Sequence, residues 1–104
     1  MEKNEEALKQ YMVEFHISEL ILDDLLQMIP EQTEAIDELF SSGKLLSYSL
    51  SHDQSKLWAV FMCDTESELI SYIDSLPMSA YLDYDYGELM FHNTVYYIPT
   101  MSLN

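Results

Sequence analysis

His16 is the residue in this chain best placed to move a proton. Glu14 lies two residues before it, on the same side of an extended segment, and Asp83 and Asp85 open another extended segment near the C-terminus. A histidine beside a carboxylate accepts and returns protons near neutral pH, which is what isomerisation through an enol requires. The catalytic candidates are therefore His16, Asp83 and Glu14, with Glu14 as a general base if an interface buries it. The hydroxyls of Tyr81 and Tyr48 are candidates for orienting a substrate carbonyl, and His52 in a polar turn is a third binding candidate. Each has a plainer role open to it. A strand histidine is commonly just hydrogen-bonded, Asp83 can cap a loop, Glu14 can be a solvated edge residue, and tyrosines suit interfaces as well as pockets.

Other chemistries find less support. Three dispersed histidines and the single Cys63 offer no HxH or CxxC spacing, so no metal is expected. Cys63 at a strand end reads as a small core residue rather than a nucleophile. Ser47, Ser49 and Ser51 alternate on one face of a strand, as in an edge strand facing water. No GxSxG, P-loop or GxGxxG run occurs.

Charge excludes more. The 104 residues carry 19 Asp and Glu against 4 Lys and no Arg, a net charge of −15. Four cations cannot neutralise a run of phosphates or hold an anionic lipid surface, so no nucleic-acid and no membrane partner is expected. Without arginine there is no planar fork for a carboxylate or phosphate, which favours a neutral or weakly polar ligand. A lone cysteine fits a reducing compartment. No apolar run is long enough to span a bilayer, and the start is acidic rather than basic, so a cytoplasmic protein is expected.

The elements that must position these residues follow from periodicity. Residues 1–9 read as a polar lead-in. Tyr11, Val13, Phe15 and Ile17 alternate with Met12, Glu14 and His16, which predicts a strand. Leu22, Leu25, Leu26 and Ile29, then Ile36, Leu39 and Phe40, recur at helical spacing, and Pro30 predicts a kink or two short helices. Gly43 ends the second. Leu45 to Ser51 and Leu57 to Cys63 flank a polar turn and predict a hairpin. Its second strand is apolar on both faces, so its sheet is expected to be covered twice. Thr65 and Glu68 form a capping box for a helix carrying Leu69, Ile70, Ile73 and Leu76, which Pro77 ends. A last strand is predicted from Leu82 to His92 with a bulge at Gly87.

This order, β-α-β-β-α-β, predicts an α+β, ferredoxin-like fold: a four-stranded antiparallel sheet with both helical segments on one face. A second copy is the simplest cover for the other face, giving a homodimer through the sheets. In this topology Glu14, His16, His52, Tyr81, Asp83 and Asp85 share one edge, and His92 lies at the far end of its strand.

The run LPMSAYLDYDYGELMFHN, residues 76–93, resembles the muconolactone isomerase-like group of dimeric α/β-barrel proteins. The shared positions are Leu76, Pro77, Tyr81, Asp83, Leu89 and His92, without a gap, and the element order extends the resemblance over residues 10–93. The segment KLLSYSLSHDQSKLWAVF, residues 44–61, is similar to a less characterised branch of that group. The resemblance implies a cofactor-free protein whose protomers pair sheet to sheet into a dimeric α/β barrel, in some cases a larger ring. The apolar tail 94–104 would pack on a neighbouring protomer. It further implies a proton shift on a small cyclic molecule, lactone or aromatic-derived. The basic stretch that such isomerases carry in the second strand is here Leu45 to Leu50, so muconolactone itself is not the expected substrate. A cofactor-free oxygenase, with Trp58 or a tyrosine as radical partner, is a relative of that reading. The alternative is a non-catalytic oligomeric interaction protein that binds a small ligand or supports a partner enzyme.

Overall fold

Alternation in the first strand sets the architecture. A computed structural model describes residues 8–92. Its elements are β1 (Lys9–His16), a 3-10 turn (Glu19–Ile21), α1 (Leu22–Leu26), α2 (Ile29–Ser41), β2 (Leu45–Leu50), β3 (Lys56–Cys63), α3 (Glu66–Asp74), a second 3-10 turn (Pro77–Tyr81) and β4 (Asp83–Leu89). Tyr11, Val13 and Phe15 of β1 are buried, whereas Met12, Glu14 and His16 face the other way. The four strands form one antiparallel sheet in the order β2-β3-β1-β4. This α+β arrangement is compatible with a ferredoxin-like fold.

The helices cover one face. Leu25 of α1, Ile36 and Leu39 of α2, and Leu69 and Ile73 of α3 pack into a single core with Tyr11, Val13, Phe15, Leu57 and Phe61. Burying each such side chain stabilises the fold by about 1.5–3 kcal/mol. The opposite, open face of the sheet carries Met12, Glu14 and His16 of β1, with Lys56, Trp58, Val60 and Met62 of β3 beside them. Val60 is only 1 % exposed there, so β3 is buried on both faces at its centre.

Pro30 explains the divided helix. It sits in the first turn of α2, where a missing N–H costs nothing, but it cannot donate to the Leu26 carbonyl and so α1 cannot run on. Gln27 and Met28 bond back to Asp24 and Leu25 instead, at 3.3 and 2.9 Å. Gly43, with φ of +77°, then reverses the chain into β2. Before α3, Thr65 Oγ1 accepts the Glu68 N–H at 3.1 Å. The returning Glu68 carboxylate accepts from Asp64 N at 2.7 Å rather than from the cap residue's own amide.

Two expectations for the strands are corrected. The last strand stops at Leu89, and Gly87 pairs with Met12 in unbroken register, so no bulge occurs there. The irregularity lies in β2, where the register shifts between Leu45 and Ser47. The reason is side-chain parity. Leu45, Tyr48 and Leu50 all face the helices, and a spacing of three then two cannot be met by a strand of strict period two. One extra residue, Leu46, turns Tyr48 and Leu50 inward and leaves Ser47 and Ser49 on the open face of this edge strand. The lead-in expected over residues 1–9 overlaps the sheet, since β1 begins at Lys9; residues 1–7 lie outside the described residues, as does the tail expected to pack on a neighbour.

Candidate functional site

Two groupings of side chains stand on opposite faces of the sheet. The first is the histidine cluster on the open face. Antiparallel pairing sets Glu14 beside Trp58 and Asp85, and His16 beside Lys56 and Asp83. His16 Nε2 lies 3.1 Å from Asp85 Oδ2, diagonally across the strands, and its Nδ1 lies 3.7 Å from Glu14 Oε2. Glu14 is further held by the Trp58 indole, which donates to Oε1 at 3.0 Å, and by Lys56 Nζ at 3.8 Å from Oε2. The expected meeting of His16 with a carboxylate is thus present, through Asp85. Asp83, its neighbour by register, is exposed and makes no side-chain hydrogen bond among the described residues. The Asp85 side chain is 86 % exposed, so this cluster faces water in the single chain.

The second grouping is a cavity on the helix face, about 320 Å³ in volume. Its walls come from α1 (Leu22, Leu25, Leu26), from α2 (Ile29, Gln32, Thr33, Ile36) and from the β2–β3 hairpin (Tyr48, Leu50, Gln54, Leu57), together with Ile17 and Met78. It lies beside the break at Pro30, with α1 on one side of the break and α2 on the other both contributing to its lining. Leu26, Ile29 and Leu50 are substantially exposed and form an apolar rim.

One polar pair is set into this wall. Gln32 is 5 % exposed and is the buried polar residue of the described core. Its Oε1 accepts the Met78 backbone N–H at 3.0 Å, and its Nε2 donates to the Tyr48 hydroxyl oxygen at 3.0 Å. Met78 N–H can only donate, which fixes the amide orientation and makes Tyr48 an acceptor at this contact. Burial pushes the Tyr48 phenol above its ordinary value, with the Gln32 bond opposing in part, so it stays protonated.

The remaining sequence candidates do not join either grouping. Tyr81 is exposed at a shallow depression with Asp24, Gln27 and Glu31. His52 is exposed in the β2–β3 turn, two residues from Gln54 at the cavity's edge. Cys63 is buried, and its thiol is pushed up to about 11 by burial and then by Glu68 and Asp64, which disfavours the thiolate. Among the described residues no group of three or more His, Cys, Asp and Glu is placed to hold a metal ion, and no helix is long and apolar enough to cross a membrane. Gln32 was not singled out from sequence. Its spacing of three from Ile29 and four from Ile36, on the buried stripe, is the signal that marks it.

No family model and no curated protein matches this chain.

Proposed function

We propose that the protein binds a small, largely apolar molecule in the cavity between α1, α2 and the β2–β3 hairpin. The observation that carries this reading is the cavity itself: about 320 Å³, walled mainly by aliphatic side chains, with the Tyr48–Gln32 hydroxyl–amide pair set among them and the exposed Thr33 and Gln54 beside them. That combination of apolar lining and few placed polar groups is what small-molecule sites have in common. An apolar cavity of about 150 Å³ already accepts benzene, so this volume admits a substituted ring. No carboxylate or histidine lines it, which favours binding over proton-transfer chemistry at this place.

Titration with toluene, followed by amide NMR shifts, tests the reading. Shifts are expected at Ile17, Leu25, Ile36 and Leu57 and not at Met12 or Val60. Leu26→Trp, which fills the rim from a position 52 % exposed, should abolish them. An absence of shifts, or shifts confined to the open face, would contradict the proposal.

A second reading is favoured by one contact, His16 to Asp85 at 3.1 Å with Glu14 behind. Here the chain is a cofactor-free, muconolactone isomerase-like protein moving a proton on a small cyclic molecule. The support is that pair together with the run from Leu76 to His92. This reading needs a second copy paired across the open face, because a proton shuttle at an exposed carboxylate gains little from its surroundings.

A further inference from the structure

We propose that the cavity selects neutral molecules carrying one hydrogen-bond acceptor, a ketone or ester carbonyl, which receives the Tyr48 O–H. This rests on the cavity being a ligand site and adds the chemical class of the ligand.

Met78 N–H donates to Gln32 Oε1, which leaves Gln32 Nε2 to face Tyr48 as a donor. The Tyr48 oxygen therefore accepts, and its proton has to point away from Gln32. The hydrogen bonds among the described residues include none donated by that hydroxyl. A phenol whose oxygen is already polarised by an amide donor is a strengthened donor in its own right. Tyr48 is half-buried among mainly aliphatic lining residues, where a met proton gains more than in water. An aliphatic ligand would leave this donor unsatisfied, whereas a carbonyl oxygen at hydrogen-bond distance completes the chain Met78–Gln32–Tyr48–ligand.

Charge decides the rest. Lys, Arg and His are absent from the lining, so an anion entering the cavity would lose its water with no cation in exchange. The net charge of −15 opposes its approach as well. A cation would be drawn to the surface but meets no carboxylate inside. A neutral carbonyl compound is the class that remains.

Acetophenone, cumene and benzoate test this, because they share a ring and nearly a shape but differ in carrying a carbonyl, no acceptor, and a charge. Affinities are measured calorimetrically for the wild type and for Tyr48→Phe. Acetophenone and cumene should both bind the wild type and benzoate should not. Tyr48→Phe should weaken acetophenone about three- to tenfold and leave cumene unchanged. The carbonyl stretch of acetophenone should move to lower frequency in the wild type relative to the compound in hexane. That measurement decides the matter even if the variant loses its cavity. Equal effects of Tyr48→Phe on both ligands, an unshifted carbonyl, or benzoate binding as tightly as acetophenone would overturn the selectivity while leaving the cavity a ligand site. Failure of acetophenone and cumene alike to bind the wild type would overturn the ligand site itself.

Discussion

Gln32 and Asp53 show how single side chains set local order here. Gln32 spends both ends of its amide on partners 16 and 46 residues away, tying α2 to β2 and to the turn after α3. Asp53 does the same over a few residues. Its Oδ1 accepts from the Ser55 hydroxyl at 2.7 Å, the Ser51 hydroxyl at 2.8 Å and the Ser55 amide at 3.0 Å, closing the β2–β3 turn in which Gln54 takes a φ of +64°. The Ser55 hydroxyl, then the Ser51 hydroxyl and the Ser55 amide, hold the Asp53 carboxyl down from 3.8 to about 2. A carboxyl depressed on folding stabilises the folded state fully above its unfolded value and loses that effect as pH falls through its folded value. Asp53→Asn should therefore flatten the fall of the urea midpoint as pH is lowered from 3.8 to about 2. A slope unchanged by the substitution would show that the turn does not hold the carboxylate. That Glu14 and His16 share a face was legible from sequence because two-residue spacing on a strand is a rule of geometry. The Gln32 network was not, since its partners come together only when the turn at Met78 packs against α2.

At the level of elements, parity and glycine conformation decide which side chains reach the cavity. The alternation in β1, the break at Pro30, the hairpin and the cap at Thr65 are all local features, and the sequence shows each of them. A glycine inside a strand suggests a bulge, but the cue the fold obeys is the three-residue step from Leu45 to Tyr48. That step matters for the proposed site: without the extra residue Tyr48 would face the open side and the cavity would lose the phenol. The two glycines separate the accounts experimentally. Gly43 holds a φ of +77°, so Gly43→Ala should destabilise by about 1–2 kcal/mol. Gly87 has no positive φ and nothing within 4 Å of an added Cβ, so Gly87→Ala should be neutral or stabilise by up to about 1 kcal/mol. Denaturant unfolding of both variants checks this, and a loss at Gly87 matching that at Gly43 would contradict the regular β4.

For the whole molecule, the sheet divides two chemistries, an apolar cavity under the helices and a histidine–carboxylate cluster on the open face. Alternation along β1 and the residue after it already separates Ile17, which lines the cavity, from His16, which meets Asp85 across the sheet; the cavity itself was not legible, because its walls come together only when α1 and α2 pack on the hairpin. The open face carries Met12, Val60, Met62 and Trp58 beside the cluster. Pairing of two copies there predicts light scattering near twice the 12.2 kDa of one chain, and a mass that stays at 12.2 kDa at high concentration would remove the second reading. The central claim is the ligand site, and a crystal structure under xenon pressure tests it most directly. Xenon enters apolar cavities without needing a polar partner. Xenon density is expected between Leu25, Ile36, Leu57 and Met78. A cavity left empty, or xenon bound only against Met12 and Val60, would contradict it.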